Sequence, residues 1–214
     1  MQELFVFRLF EEPILFLIVL VLMVFSICLH EFCHAWTAKL CGDSTAAENG
    51  YLTLNPLKVM GVYSLIMLLM FGIGWGRVPV NNSRITHKYQ RILVDLAGII
   101  ANFVLGIVFT AVLVLMIHVN PESQYTTPVI MVAALNFVMA MFNLLPIPPL
   151  DGYSAVCEIF PAVRQFGRTE FTRGAMLLLF FAMFSFGFRY LFIVAVFLLQ
   201  SGLLLGEFLL GRGA

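Results

Sequence analysis

Two histidines and a glutamate stand together near the end of a long apolar stretch. They are His30, Glu31 and His34, in the pattern H-E-x-x-H. On an α-helix, side chains four residues apart project from one face, so both imidazoles can reach a single Zn²⁺ ion. The Glu31 carboxylate then lies beside the ion, where it can take a proton from a water molecule without being a ligand. Because an ionisable side chain is costly inside a bilayer, the apolar surroundings favour a functional role over a chance match.

A zinc enzyme also needs a third protein ligand and an open fourth position. The best supplier is the stretch 143–152, NLLPIPPLDG, whose three prolines cannot continue a helix. Irregular backbone at membrane depth is tolerated only where it lines protein or water. We therefore expect Asp151 to lie in a cavity beside the histidines. The alternative is an ordinary interfacial turn with Asp-Gly at its tip.

The composition is that of an integral membrane protein. Hydrophobic residues make up 61% of the 214 residues and charged residues 11%, against about 25% charged in soluble domains. Lysines plus arginines and acids balance at 12 each, which gives no reason to expect a nucleic-acid partner. The four cysteines lack C-x-x-C spacing and are expected to be reduced. The first apolar stretch has no small-residue cleavage site, so we expect it to be retained.

Hydropathy predicts an all-α polytopic membrane protein that forms a single domain over residues 1–214. Three spans are clear, and they run from 13 to 41, from 92 to 117 and from 128 to 145. They form a three-helix catalytic core within about residues 13–160. The apolar stretch from 174 to 210 supplies one or two further helices. Gly187 and Arg189 interrupt it, which favours two shorter spans.

Residues 59–76 contain about a dozen helix-like positions, fewer than the roughly 20 that a spanning helix needs. A re-entrant or interfacial piece is therefore expected. The flanking stretches 50–55 and 77–82 alternate apolar and polar residues as short strands do, which predicts β-hairpin-like elements.

The distribution of charge predicts the orientation. If residues 59–76 do not cross, then the loops 39–58, 77–91 and 152–173 share one side and carry nine of the twelve lysines and arginines, whereas the loop 118–127 carries none. By the positive-inside rule, the side with the nine cations is cytoplasmic. We therefore expect a multi-pass protein of the cell membrane whose active site opens toward the cytoplasm.

The two motifs together resemble those of the intramembrane zinc metalloproteases of the site-2 protease family. A helix with H-E-x-x-H is followed there by a membrane segment with N-x-x-P-x-P-x-L-D-G. The stretches GDSTAAENGYLTLNPLK and GWGRVPVN also resemble the compact bacterial and archaeal branch, which lacks PDZ and CBS domains. The likeness covers about residues 25–160.

This resemblance implies a set of site residues. His30, His34 and Asp151 would be the zinc ligands, and Glu31 would be the catalytic base. Asn143 would contact the substrate or its oxyanion.

The middle span departs from the family pattern. The family's G-P-x-x-N appears as GIIAN, residues 98–102, without the proline. Asn102 in mid-span either forms a hydrogen bond between helices or borders the active site, as a weaker candidate for substrate contact. Gly98 and Gly106 are interpreted as packing positions on that helix.

The function implied is that of an intramembrane zinc-dependent endopeptidase with one Zn²⁺ per chain. Its partners would be the lipid bilayer and a membrane-anchored protein that is cut in or near its transmembrane segment. Two alternatives remain open: a protein that binds or transports divalent cations across the membrane, and an inactive protease-like membrane chaperone. A transporter would string its acids and histidines along a pathway, whereas here they cluster at one depth.

Overall fold

A computed structural model describes residues 11–166 and 170–210, and they are predominantly helical. The ten α-helices in these two ranges are α1 (Pro13–Leu40), α2 (Thr45–Glu48), α3 (Pro56–Val59), α4 (Gly61–Phe71), α5 (Lys88–Val119), α6 (Thr126–Asn143), α7 (Asp151–Ile159), α8 (Pro161–Phe166), α9 (Glu170–Ala182) and α10 (Phe188–Leu209). The predicted all-α fold class is confirmed.

Four of these helices are long and apolar enough to cross a membrane: α1, α5, α6 and α10, with 28, 32, 18 and 22 residues. The first three correspond to the three spans that hydropathy predicts. Each reaches about 27 Å or more at 1.5 Å per residue, close to or above the thickness of a hydrocarbon core. The chain is therefore a multi-pass membrane protein.

The spanning helices pack through small and apolar side chains. A buried core joins α5, α6 and α10, and it contains Leu113, Ala133, Phe137, Val138, Ala195 and Leu199. Gly106 of α5 lies directly under the ring of Phe137, so a side chain there would collide with it. On the other side of the core, α1 joins α6 through a buried hydrogen bond of 3.0 Å from the Asn136 amide to the Ser26 hydroxyl. Small residues and amide bridges of this kind are how helices associate in lipid.

The C-terminal third differs from the expected pair of spans. Helices α9 and α10 are joined by a π-helical turn, Met183–Gly187, and not by a loop, so the chain does not reverse between them. Only α10 has the length and hydropathy of a span. The expectation of two spans is wrong because Gly187 keeps helical angles, with φ −75° and ψ −30°, and the extra residue is absorbed as a π-turn.

The stretch between α3 and α5 folds back on itself as a hairpin, and its helix α4 has 11 residues, fewer than a spanning helix needs. The expectation of a re-entrant or interfacial piece stays a prediction. Helix α4 is followed by Gly72, whose φ of +71° favours glycine, and the chain then returns beside the same helix. The buried Ser64 hydroxyl accepts a hydrogen bond from the Trp75 N–H at 2.8 Å and donates one to the Trp75 carbonyl at 2.6 Å. One step further, the Arg77 N–H donates to the Val59 carbonyl at 3.0 Å.

The predicted β-hairpin-like elements are wrong. No strand forms in residues 11–166 or 170–210. Residues 77–81 lie outside any helix but belong to no ladder, and residues 50–55 are bends and coil. The alternating pattern does not produce a strand here, because residues 77–81 are held by separate single contacts at Arg77 and Asn81 and have no partner strand among the described residues.

The end of this returning segment is fastened by Asp43, in the loop after α1. Its carboxylate is inaccessible to solvent and accepts hydrogen bonds from the N–H of Thr45 at 3.0 Å, the hydroxyl of Thr45 at 2.5 Å and the N–H of Asn81 at 2.6 Å. Burial raises the pKa of Asp43, but the three hydrogen bonds lower it more, so its pKa lies below the ordinary value.

We expect Asp43→Asn to lower the free energy of unfolding by about 1–3 kcal/mol, because the amide loses a charged acceptor that serves three donors. A lowered folded pKa means that the stabilisation is complete above about pH 4 and is lost as the pH falls through the folded value. Thermal unfolding of the purified chain at neutral and acid pH measures both effects.

The matched control is Glu48→Gln, which breaks an exposed ion pair with Arg84 at 3.0 Å and should change stability by less than about 1 kcal/mol. Equal stability of Asp43→Asn and the wild type at neutral pH would contradict the assignment.

Candidate metal centre

Two elements far apart in the sequence bring three ligand atoms together. His30 and His34 lie one turn apart on α1, and Asp151 is the first residue of α7. The two Nε2 atoms are 3.1 Å apart. The Asp151 Oδ2 atom lies 3.0 Å from Nε2 of His30 and 3.3 Å from Nε2 of His34. The prediction that Asp151 lies beside the histidines agrees with this placement.

These separations fit a tetrahedral zinc site. Ligand atoms at about 2.0–2.1 Å from Zn²⁺ in a tetrahedron are about 3.3–3.4 Å from one another, and the three pairs come within a few tenths of an ångström of that value. Two imidazoles and one carboxylate form a donor set of catalytic zinc centres, which leave the fourth position open. Within 11–166 and 170–210, no second group of three such side chains converges.

The orientation of His34 is fixed by the main chain of α5. Its Nδ1 atom lies 2.7 Å from the carbonyl oxygen of Val94. Because a carbonyl can only accept, Nδ1 carries the proton and donates it, which leaves the lone pair of Nε2 directed at the ligand cluster. No sequence motif marks Val94, since only its backbone takes part.

His30 is held by the side chain of Asn102. The Asn102 amide nitrogen lies 3.1 Å from Nδ1 of His30, while its amide oxygen is buried without a hydrogen bond. Rotating the amide by 180° brings that oxygen to Nδ1, where it accepts the proton of a histidine whose Nε2 is free for a metal. This geometry favours a role for Asn102 in orienting His30 over direct contact with a substrate.

Gly98 allows α5 to approach the histidines. A Cβ atom at this position would collide with Nε2 of His34 and would lie 2.5 Å from Nε2 of His30. Gly98 thus packs, as expected, but against the ligand atoms themselves. The sequence signal that could have indicated this is its spacing of four residues from Asn102, which puts both on the same face of α5.

The proline-containing turn places Asp151. Helix α6 ends at Asn143 and α7 begins at Asp151, so the chain unwinds over the prolines as predicted. A Cβ on Gly152 would collide with the Leu144 carbonyl oxygen. The turn can fold this tightly onto the start of α7 only because residue 152 is glycine. Asn143, at the end of α6, is half-buried.

Glu31 is buried beside the ligands under the returning segment of the hairpin. Its side chain faces the backbone N–H of Val78, and a Cβ on Gly76 would lie 2.9 Å from its Oε1 atom. The Asp151 side chain is 26% exposed, whereas those of His30 and His34 are 7% and 8% exposed. The cluster is therefore most accessible on the Asp151 side.

The four cysteines, which the sequence predicts to be reduced, are free in the structure, and Cys28 and Cys157 are buried. Cys33 lies between the histidines in the sequence but does not join the cluster of possible ligands.

Comparisons with known proteins point in the same direction. A family model described as Peptidase family M50 matches residues 17–126 and 116–186. The chain is 36% identical over 147 residues to the proposed zinc metalloprotease YwhC of Bacillus subtilis, a match that covers 65% of this chain and 67% of the relative. No solved structure gives a significant match.

Similar matches exist to the proposed zinc metalloproteases named Rip2. The identity is 37% over 149 residues for Rip2 of Mycolicibacterium smegmatis and 34% over 148 residues for Rip2 of Mycobacterium tuberculosis. Each match covers 66% of this chain and 56% of the relative, so the matched part spans little more than half the length of the Rip2 proteins.

We expect Gly98→Ala to weaken Zn²⁺ binding by about tenfold or more, because the added methyl group displaces the imidazole nitrogens. Competition with a chromophoric chelator measures the affinity in purified protein. The matched control is Gly106→Ala on the same helix, whose methyl group would collide with Phe137. That variant should lower the melting temperature and keep its zinc affinity. Equal zinc affinity in both variants would refute the placement of Gly98.

Proposed function

Because the chain belongs to peptidase family M50, the site-2 protease family of zinc metalloproteases, we propose that it hydrolyses peptide bonds in or near the transmembrane segments of membrane-anchored proteins. The observation that carries this proposal is the meeting of two imidazoles and a carboxylate, with pairwise distances of 3.0–3.3 Å, next to Glu31. The protein would act as a single domain, and its partners would be the lipid bilayer and a membrane-anchored protein substrate.

His30, His34 and Asp151 would hold one Zn²⁺ ion per chain. When bound there, the ion supplies a Lewis acid that polarises the scissile carbonyl and lowers the pKa of a water molecule. The protein contributes the orientation of the ligands through the Val94 carbonyl and the Asn102 amide.

Glu31 would act as the general base. Its carboxylate accepts a proton from the attacking water, whose oxygen bonds to the scissile carbonyl carbon, and then returns that proton to the leaving amine as the C–N bond breaks. Burial of this carboxylate, at 8% exposure, keeps bulk water away from the proton in transit. Position favours the role, because Glu31 is adjacent to one ligand and faces the cluster.

Asn143 would contact the substrate or its oxyanion, since it ends α6 at the start of the turn that carries Asp151. Asn102 remains the weaker candidate for that contact, because its amide is fully buried against His30. We assign it to the orientation of that ligand.

A peptide bond in a transmembrane helix is protected by its hydrogen bonds, so the substrate must unwind before attack. The returning segment 77–81 is the element best placed to hold it extended, since it runs from the hairpin past Glu31 to Asp43. Residues 50–55, the other stretch suggested by the alternating pattern, are bends and are not retained in this role.

The active site would open toward the cytoplasm. The hairpin and the loops after α1 and before α5 meet at the end of the bundle where Asp43, Asn81 and Arg91 lie. Nine of the twelve lysines and arginines lie in the stretches 39–58, 77–91 and 152–173, as the positive-inside rule expects of a cytoplasmic face.

Glu31→Gln tests the proposed catalysis. We expect the variant to keep one equivalent of zinc and to lose cleavage by a factor of at least about 10², because the amide cannot accept the proton. Metal analysis is combined with cleavage of candidate single-span proteins in detergent or liposomes. A cation transporter or an inactive chaperone would keep its activity in this variant, and cleavage at the wild-type rate would refute the proposal.

A second prediction concerns the extended segment. Val80→Pro removes one backbone N–H and should slow cleavage by about tenfold or more with zinc content unchanged. Val80→Thr keeps the N–H and the branched shape, and it should cleave as the wild type does. If the proline variant is as fast as the threonine variant, then the segment does not hold the substrate.

A further inference from the structure

A partly buried ion pair connects α7 to α5 at a distance from the ligand cluster. The Glu158 side chain, near the end of α7, is only 7% exposed. It accepts a hydrogen bond from Nε of Arg91 at 2.7 Å and another from the Arg164 guanidinium at 2.5 Å. Arg91 also donates to the Ile85 carbonyl at 2.9 Å, so its guanidinium is fixed at both ends.

Glu158 is held in its charged form. Burial raises the pKa of Glu158, but the hydrogen bonds from Arg91 and Arg164 lower it more, and the net pKa lies below the ordinary value. A desolvated ion pair of this kind contributes little to stability compared with apolar packing. The pair instead restricts the relative position of the two helices, because a hydrogen bond of 2.7 Å between Arg91 and Glu158 is lost when either side chain shifts.

The spacing of the residues shows what geometry the pair could fix. Glu158 lies seven residues after Asp151 on α7, and Arg91 lies seven residues before Gly98 on α5. Seven residues are two helical turns, so each pair shares one face and is about 10.5 Å apart along its helix. Asp151 meets the histidines at the level of Gly98, and Glu158 meets Arg91. The two helices are therefore antiparallel, with Asp151 at the level of Gly98 and Glu158 at the level of Arg91.

We propose that the Arg91–Glu158 ion pair is a positioning device that fixes the register of α7 against α5 and so holds the Asp151 carboxylate at the histidines. This inference rests on the proposed function, because it assigns a role at the same zinc site. The turn before Asp151 fixes one end of α7, and the ion pair fixes the other. Slippage by a single turn, about 5.4 Å, would carry Asp151 out of reach of both Nε2 atoms.

Arg164 has a different position in this arrangement. It lies on α8, directly after α7, and its side chain is 57% exposed. It therefore neutralises Glu158 without tying α7 to α5. We expect Arg164→Gln to affect zinc binding less than Arg91→Gln does.

The test measures the Zn²⁺ affinity of the full chain in detergent by competition with a chelator, alongside thermal unfolding of the metal-free protein. Glu158→Gln and Arg91→Gln should each bind zinc about 10–100-fold more weakly than the wild type. Glu48→Gln, which breaks the exposed ion pair with Arg84, should bind as the wild type does.

A double variant separates positioning from general destabilisation. If Glu158 acts through Asp151, then Asp151→Asn combined with Glu158→Gln should bind zinc no more weakly than Asp151→Asn alone. A further loss equal to that of Glu158→Gln would overturn the proposal, and so would wild-type affinity in Glu158→Gln. If Glu158→Gln does not fold, Arg91→Gln decides by the same comparison.

The outcomes distinguish this inference from the proposed function. A wild-type chain that binds zinc but cleaves no substrate overturns the proposed function and leaves the affinity comparison intact. A wild-type chain that binds no zinc overturns both.

Discussion

The structure depends on the approach of three electron-pair donors to within 3.3 Å of one another inside a membrane protein. Such atoms repel unless a cation or a proton lies between them, and side chains must be excluded for the backbones to come so close. The close approach of the backbones is possible because a glycine lies at each contact. Gly98 faces the imidazoles, Gly76 faces Glu31, and Gly152 faces the turn after α6.

Much of this was readable in the sequence because the relevant signals are local. A spacing of four residues puts His30 and His34 on one face of a helix, and prolines end α6 before Asp151. Hydropathy located α1, α5 and α6 because a spanning helix is a long, uniform run. The short helix α4 was expected because residues 59–76 contain too few helix-like positions for a span.

What the sequence did not show depends on the register between helices. The Val94 carbonyl has no side-chain signature, and the Arg91–Glu158 pair joins residues 67 positions apart. Alternation at 77–82 suggested a strand but could not say whether a partner exists. Gly187 and Arg189, two residues apart, suggest a break in the sequence, yet a π-turn is accommodated there without reversal of the chain.

The side chains of His30, His34 and Asp151 differ in exposure, and this difference has a consequence for access to the cluster. Both imidazoles are buried against α5, while about a quarter of the Asp151 side chain is exposed. Small molecules and ions can therefore reach the cluster most easily past the Asp151 carboxylate. We therefore expect reagents that reach a metal ion held by these three side chains to approach it from the Asp151 side.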